Sequence, residues 1–382
     1  MTRSSFAAGL VAGAVLGVAL AAVLGLVLDS DDESAEEQAR EVIEANYFEE
    51  VDPSALEETS IRGMVSELRK RYDDRFSHYF SPEQLDEFEA ATSGRFSGIG
   101  LNVSEVKEGL RVSSVIPGTP AQDAGLQEGD LIVAVEGESI AGVPADVSTA
   151  RIKGPPGTEV ELRVEPADGG QANELTVERA DVRVPAVISR LVDVDGTPVA
   201  YVRLLTFSSG AHGELREAVE RLYRRGAEGL VLDLRGNGGG LLNEAVLTSS
   251  IFVEDGTVVS TKSRSQGERD YEATGEALDP RPTIVLTDRL TASAAEILAS
   301  ALADYDLATL VGTRTFGKGT FQEVIQLPAG GALDLTVGQY LTADGVSLAN
   351  KGIKPDVRAS DDADTKRDEA LQEGLSVLAP EL

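Results

Sequence analysis

No cysteine and no tryptophan occur anywhere in the 382 residues. Without a thiol, disulfide frameworks, cysteine nucleophiles and cysteine-ligated metal sites are excluded together. Histidine is nearly as scarce. His78 and His212 are the two present, and neither stands in His-Glu-x-x-His or another ligand cluster, so the sequence implies no metal. His212 sits near a helix start, where a loop or capping role suits it, and His78 lies among aromatic residues. Basic residues are also outnumbered, 34 Lys and Arg against 65 Asp and Glu, for a formal net charge of −31. Nucleic-acid binding needs clustered cations to neutralise phosphates, so no nucleic-acid partner is expected, and the acidic exterior serves solubility. A Gly-x-Ser-x-Gly elbow is missing as well, which removes the signature of an α/β-hydrolase triad.

What is present begins with FAAGLVAGAVLGVALAAVLGLVL, residues 6–28, 23 residues without a charge. At 1.5 Å per residue such a run can span a bilayer core of about 30 Å. Arg3 precedes it and DSDDESAEE follows, so the basic side is expected to stay cytoplasmic and the rest to be extracytoplasmic. Residues 1–28 therefore read as a single-pass membrane anchor, an N-terminal transmembrane helix. A cleaved signal segment is the alternative, although its apolar region is usually only about 7 to 15 residues. Residues 29–94 follow as an acidic tether and a charged helical region, in which Ser81 and Pro82 suit a cap followed by proline at the first helical position.

From 95 to 180 the chain changes to short strands separated by Gly and Pro turns, with a short helix expected at about 145–152. This segment resembles a PDZ domain, most specifically in GTPAQDAGLQEGDLI. The stretch SGIGL matches that family's carboxylate-binding loop, which implies that Gly98, Ile99, Gly100 and Leu101 bind a substrate C-terminus. The physical basis is that successive amides held open by glycine can pair with a terminal carboxylate while the peptide adds to a strand edge. A tight turn alone is the other reading of the same glycines.

Residues 181–382 alternate strand-like and helical segments: PVAYVRLLTF, GELREAVERLYRR, GLVLDL, LLNEAVLTSSIF, TIVLTD, SAAEILASALADY and LATLVG. Alternation of this kind argues for an α/β layer with much parallel sheet. The apolar run GLVLDL suits a strand covered on both faces.

Three loops in this region can carry chemistry. In TASAAEILASAL, Ser293 and Glu296 have capping-box spacing. A serine at a strand-to-helix turn also has unpaired amides and a positive dipole end beside it, which would stabilise an oxyanion. DLRGNGGGLL places Gly238 to Gly240 between strand and helix, where amides can approach a carbonyl. VGTRTFGKGTFQ imitates a nucleotide-binding P-loop, but Gly319 stands where a hydroxyl should hold magnesium, and TFQEVIQL reads as extended rather than helical. Lys318 can instead be a base. At its reference pKa of about 10.4 roughly 1 molecule in 2,500 is neutral at pH 7, and a drop of about three units raises that to roughly a quarter. Burial supplies such a drop, and Phe316, Phe321 and ATLV are the expected pocket.

Together DLRGNGGGLL, TASAAEILASALADY, GTRTFGKGTFQ and KGIKPDV resemble the carboxy-terminal processing proteases, serine peptidases with a Ser–Lys dyad and a PDZ domain. That family's nucleophile precedes its lysine by 25 positions, the spacing of Ser293 and Lys318. The resemblance further implies that Gln322, four residues after the lysine, assists it, and that amides of Ala294 and of the glycine run, at Gly239, form the oxyanion hole. Ala295 departs from many members, which carry a second serine there. The resemblance implies an α/β peptidase core with an inserted PDZ domain, cutting proteins or peptides with free C-termini near their ends through an acyl-enzyme, with no cofactor. Self-association is left open. A catalytically silent PDZ scaffold and a P-loop ATPase are the rivals; intact Ser293, Lys318 and Gln322 oppose the first and Gly319 the second.

Overall fold

The computed structural model describes residues 34–56, 60–361, 365 and 367–382. The expected anchor at 1–28 lies outside them, and among the described residues no helix is long and apolar enough to cross a membrane. The described residues form two compact units: one joins those up to Thr92 to those from Pro185 onward, and the other is Ser93–Val184.

The larger unit is built on a six-stranded sheet in the order Val187–Val194, Thr197–Leu204, Gly229–Asp233, Thr283–Thr287, Thr309–Gly312, Val357–Arg358. Only the first pairing is antiparallel; the others are parallel. All residues of Gly229–Asp233 and of Thr283–Thr287 are buried, as expected of parallel strands covered on both faces. Strand alternation sorts their side chains between two cores. Ala200, Val202, Leu204, Leu230 and Leu232 join the core containing the helices Ala211–Arg224, Leu242–Ser249 and Ala294–Asp304. Val199, Tyr201, Val231, Ile284 and Leu286 pack beneath the C-terminal helix Glu369–Leu378. Gly374 lets that helix lie close, because a Cβ there would meet Ile284 Cδ1 at 2.4 Å.

A second, antiparallel sheet completes the unit. Its order is His78–Phe80, Ala332–Thr342, Thr257–Ser263, Gly267–Glu272, and Thr320–Gln326 also pairs with Ala332–Thr342. Among the 11 residues of Ala332–Thr342 only Gln339 is exposed, so no polar alternation marks it in the sequence. The N-terminal helices Ala35–Asn46 and Ile61–Arg71 add Ala39, Ile43, Met64 and Leu68 to the main core. The helical region read as 29–94 is thus structurally part of the core unit up to Thr92. The helix Pro82–Ser93 starts as the sequence suggests: Gln84 N donates to Ser81 Oγ at 3.4 Å and Ser81 N to Gln84 Oε1 at 3.2 Å.

The smaller unit holds a sheet in the order Leu101–Val106, Gly109–Val115, Leu131–Val135, Glu159–Glu165, Asn173–Glu178, with the helix Ala145–Ile152 at the expected place. Glu159–Glu165 alternates strictly, burying Val160, Leu162 and Val164 against Leu110, Val112 and Ile132. The strands Arg95–Gly98 and Ala180–Arg183 pair with each other. They bring the two ends of the unit together, the geometry that lets it interrupt another unit.

Candidate active site

The strand Thr283–Thr287 ends in a turn that delivers Ser293 to the start of the helix Ala294–Asp304. Asp288 Oδ1 braces this turn, accepting from Leu290 N and Thr291 N at 2.9 Å each and from Gly236 N at 3.0 Å. Thr291 Oγ1 donates to Leu234 O at 2.9 Å, and Ala292 N to Asn237 O at 3.0 Å. The serine turn is therefore laced to the RGNGGG turn of the adjacent parallel strand.

Ser293 has φ 58° and ψ −115°, a conformation L-residues rarely adopt. Such strain costs on the order of 1–3 kcal/mol and collects at functional sites. The side chain is buried, and Oγ makes no hydrogen bond. Tyr340 neighbours it, fully buried, with its pKa raised by burial.

Glu296 does more than cap the helix. Its carboxylate is fully buried and accepts from Ser293 N at 2.8 Å, Gly317 N at 2.8 Å, Lys318 N at 3.0 Å and the Thr315 hydroxyl. One carboxylate thus ties the serine backbone to the lysine backbone. The sequence signal was visible as Ser-x-x-Glu, but that spacing reports only the local cap. Gly319 also finds its explanation: a Cβ there would lie 2.1 Å from Ala349 N. The glycine after the lysine lets two backbones touch.

Lys318 is only 3% exposed, with Nζ 4.5 Å from the centre of the Phe76 ring. Burial lowers its pKa to about 8, against the opposing pull of Asp334, Asp74 and Glu296. Burial likewise pushes the Asp334 carboxyl up, opposed by Lys318. The pocket differs from the expected one. Phe316 is 54% exposed and does not cover the lysine, while Phe321 packs against Tyr340 with ring centres 5.3 Å apart. Leu310 and Val311 of the ATLV stretch are buried within the parallel sheet. The aromatic face comes from Phe76, more than two hundred positions earlier, a contact that local sequence does not encode.

Gln322 is buried opposite Thr336, where the strand register shifts between Phe321 and Gln322. Its Nε2 donates to Thr336 Oγ1 at 3.1 Å, and its Oε1 has no partner. Ala294 opens the helix, and the first helical amides have no intrahelical acceptor. Gly239, at φ 102°, donates its amide to Asn237 Oδ1 at 2.8 Å, so that donor is engaged here. Gly240 must be glycine, since a Cβ would meet Phe207 O at 2.5 Å.

In the smaller unit, Gly98 ends a strand and Leu101 begins the next. Ile99 is buried and its carbonyl accepts from Ala121 N at 2.8 Å, while that of Gly100 accepts from Ile116 N at 3.0 Å. Gly100 lies at φ 92°, where a Cβ would sit 2.3 Å from Thr119 Oγ1. Of the two histidines, His212 lies in the first turn of Ala211–Arg224 with Nδ1 2.8 Å from Glu244 Oε2. His78 stacks on Phe80 at 6.5 Å. Among the described residues no group of three or more His, Asp or Glu is placed to hold a metal.

Comparison with known proteins brings these elements together. Residues 198–359 match Peptidase family S41, and residues 88–165 match the PDZ domain. The carboxy-terminal processing protease CtpA of Bacillus subtilis (strain 168) is 36% identical over 323 residues, covering 84% of this chain and 68% of that protein. A carboxyl-terminal-processing protease of Synechocystis sp. is 36% identical over 295 residues, 76% of this chain and 69% of that protein. Among solved structures, the photosystem II D1 C-terminal processing protease superposes with a TM-score of 0.55 at 29% identity, over 91% of this chain and 98% of that one.

Proposed function

The chain belongs to the carboxy-terminal processing proteases of peptidase family S41, serine peptidases that here carry a PDZ domain and take peptide or protein substrates, and on that premise we propose how it cuts them. Ser293 is the nucleophile and Lys318 the base. The observation that carries this reading is the Glu296 clamp, which fastens the backbone of a strained, unbonded serine to that of a buried lysine with lowered pKa.

In the first step Ser293 Oγ bonds to the scissile carbonyl carbon and its proton passes to neutral Lys318 Nζ. The oxyanion is met by the Ala294 amide and by the glycine run, where Gly239 serves once its amide leaves Asn237. The C–N bond then breaks as Lys318 protonates the leaving amine. Water attacks the resulting ester, Lys318 takes its proton, and the proton returns to Oγ as the acid product departs. Gln322 assists the lysine. Ser293 is 1% exposed, so Oγ has to become accessible before substrate can reach it.

Capture is assigned to Gly98, Ile99, Gly100 and Leu101, which would pair a free C-terminal carboxylate with backbone amides. The catalytic part is extracytoplasmic, held by the apolar segment 6–28. The test compares one peptide with a free or an amidated C-terminus, using wild type and Ser293→Ala. The reading requires cleavage by wild type only, with the amidated peptide markedly slower below saturation. Turnover by a folded Ser293→Ala protein would overturn the nucleophile, and equal cleavage of the two peptides would overturn the capture step. Protease added to intact spheroplasts should digest the catalytic part; complete protection would reverse the orientation.

A further inference from the structure

Behind Gln322 lies a chain of polar groups with a fixed direction. Asp74, in the N-terminal region, is a hub of acceptors. Its carboxylate receives Phe76 N at 2.9 Å, Ser77 N at 3.2 Å, the Tyr47 hydroxyl at 3.2 Å, the Ser77 hydroxyl and Thr336 Oγ1 at 3.1 Å. The Ser77 hydroxyl in turn accepts from Thr336 N at 3.0 Å. Thr336 has one hydroxyl proton, and giving it to Asp74 leaves Oγ1 only the role of acceptor toward Gln322. Gln322 must therefore present its NH₂ group to Thr336, as it does at 3.1 Å. Its Oε1, buried and without a partner, is then turned away as the one free acceptor of that amide.

We propose that Asp74 and Thr336 are positioning residues that fix the amide of Gln322 in the orientation that offers Oε1 to Lys318. The proposal rests on the dyad reading and extends it to two residues from separate parts of the chain. Geometry places them for it. Gln322 and Thr336 are cross-strand partners beside a shift in register, and such irregularities re-aim side chains. The charged and titratable groups that act on Lys318 are Asp334, two residues from Thr336 on the same strand, then Asp74, Glu296 and His78. Phe76, two residues after Asp74, covers the ammonium. An oxygen aimed at Nζ holds the lysine's protons on one side and its lone pair toward the serine when neutral. An inverted amide would aim N–H groups at the base and oppose its protonation.

The experiment is a pH–rate profile of peptide cleavage by the full chain, with folded fraction checked by thermal melting. Thr336→Val removes the hydroxyl at nearly constant volume, and the plateau should fall by about tenfold or more, a share of the roughly 10²–10⁴-fold a positioned base contributes. Its rising limb should stay in place, since no charge changes. Thr336→Ser, which keeps the hydroxyl, should recover activity to within about twofold of wild type. Asp74→Asn can donate to Thr336 and reverse the chain; its plateau should also fall, and its rising limb should move to lower pH because a charge that raises the lysine pKa is gone. A merely structural role would lower the folded fraction and leave the plateau per folded molecule unchanged. Equal plateaus for the valine, serine and wild-type proteins would overturn the proposal. If the valine form does not fold, a wild-type plateau in Asp74→Asn would do the same. Lys318→Ala in the same assay separates the two levels: inactivity there with an active Thr336→Val removes only the relay, whereas an active Lys318→Ala removes the dyad.

Discussion

Two helices of this protein begin with Ser-x-x-Glu, and the two serines could hardly be used more differently. At Ser34 the backbone is extended, φ −67° and ψ 154°; Oγ accepts from Glu37 N at 3.3 Å, and Glu37 Oε2 accepts from Ser34 N at 3.2 Å. Both bonds are exposed. At Ser293 the carboxylate half of the box survives, at 2.8 Å, but the hydroxyl is released by a backbone twisted to φ 58°. The same Glu296 carboxylate also reaches across to Thr315, Gly317 and Lys318. One motif therefore serves as an ordinary cap at the surface and as a joint between two loops in the core. Backbone strain and burial make the difference, and neither is written in four residues.

The comparison can be broken most severely at Ser293 itself. Ser293→Ala should lose on the order of 10⁶-fold in turnover, the scale seen when a nucleophile of a serine peptidase is removed. Ser293→Gly should be equally inactive yet melt above wild type, because glycine relieves a strain of about 1–3 kcal/mol. Ser34→Gly, with no strain to relieve, should not gain stability. A fall in melting temperature for Ser293→Gly would mean that the twisted backbone stores no strain.

Lys318 comes next. Lys318→Arg should be nearly as inactive as Lys318→Ala, down by about 10²–10⁴-fold, because arginine does not give up its proton. Burial lowers the lysine pKa to about 8, and a base must be neutral to take a proton. Activity should thus rise as pH increases toward about 8 and level above it. A rate that falls across that range would assign the base elsewhere.

Glu296→Gln tests the joint. The amide replaces an acceptor that serves four donors, so the variant should lose about 10²-fold in activity, with a stability loss of about 1–3 kcal/mol. Glu37→Gln, the same change in the exposed box, should stay within about 0.5 kcal/mol and leave activity alone. The smallest effect belongs to Ser34→Ala, about 1 kcal/mol of stability with full activity. Calorimetry and one peptide assay cover these three variants.

These contrasts also mark what the sequence could reveal. The parallel strands and their helices were legible because each carries its period locally: GLVLDL, TIVLTD and GELREAVERLYRR need no distant partner to be recognised. Ser293, Lys318 and Gln322 were singled out through a family resemblance carried by short motifs; the structure buries all three, and the six-stranded sheet carries the serine turn next to the glycine turn. The long strand Ala332–Thr342 was not legible, because it is buried along almost its whole length and shows no alternation. Phe76 was missed as the cover of Lys318, and exposed Phe316 was expected in its place. Adjacency in sequence was a poor guide to adjacency in the pocket. Glu296 was seen, but only for the bonds it makes within its own helix turn. Gly319 argued correctly against a phosphate loop, while its own reason, contact with Ala349, lay thirty residues downstream.

The bond between Asp74 and Thr336 spans 262 residues. During synthesis from the N-terminus, Phe76 and Asp74 leave the ribosome long before the serine, and the strand that meets them follows later still. Contacts of such separation form late, after loop closure has been achieved. A nascent chain accordingly holds Ser293 before the surroundings of Lys318 are finished. On the proposed reading, peptide cleavage would therefore wait until the strand Ala332–Thr342 has been made and docked.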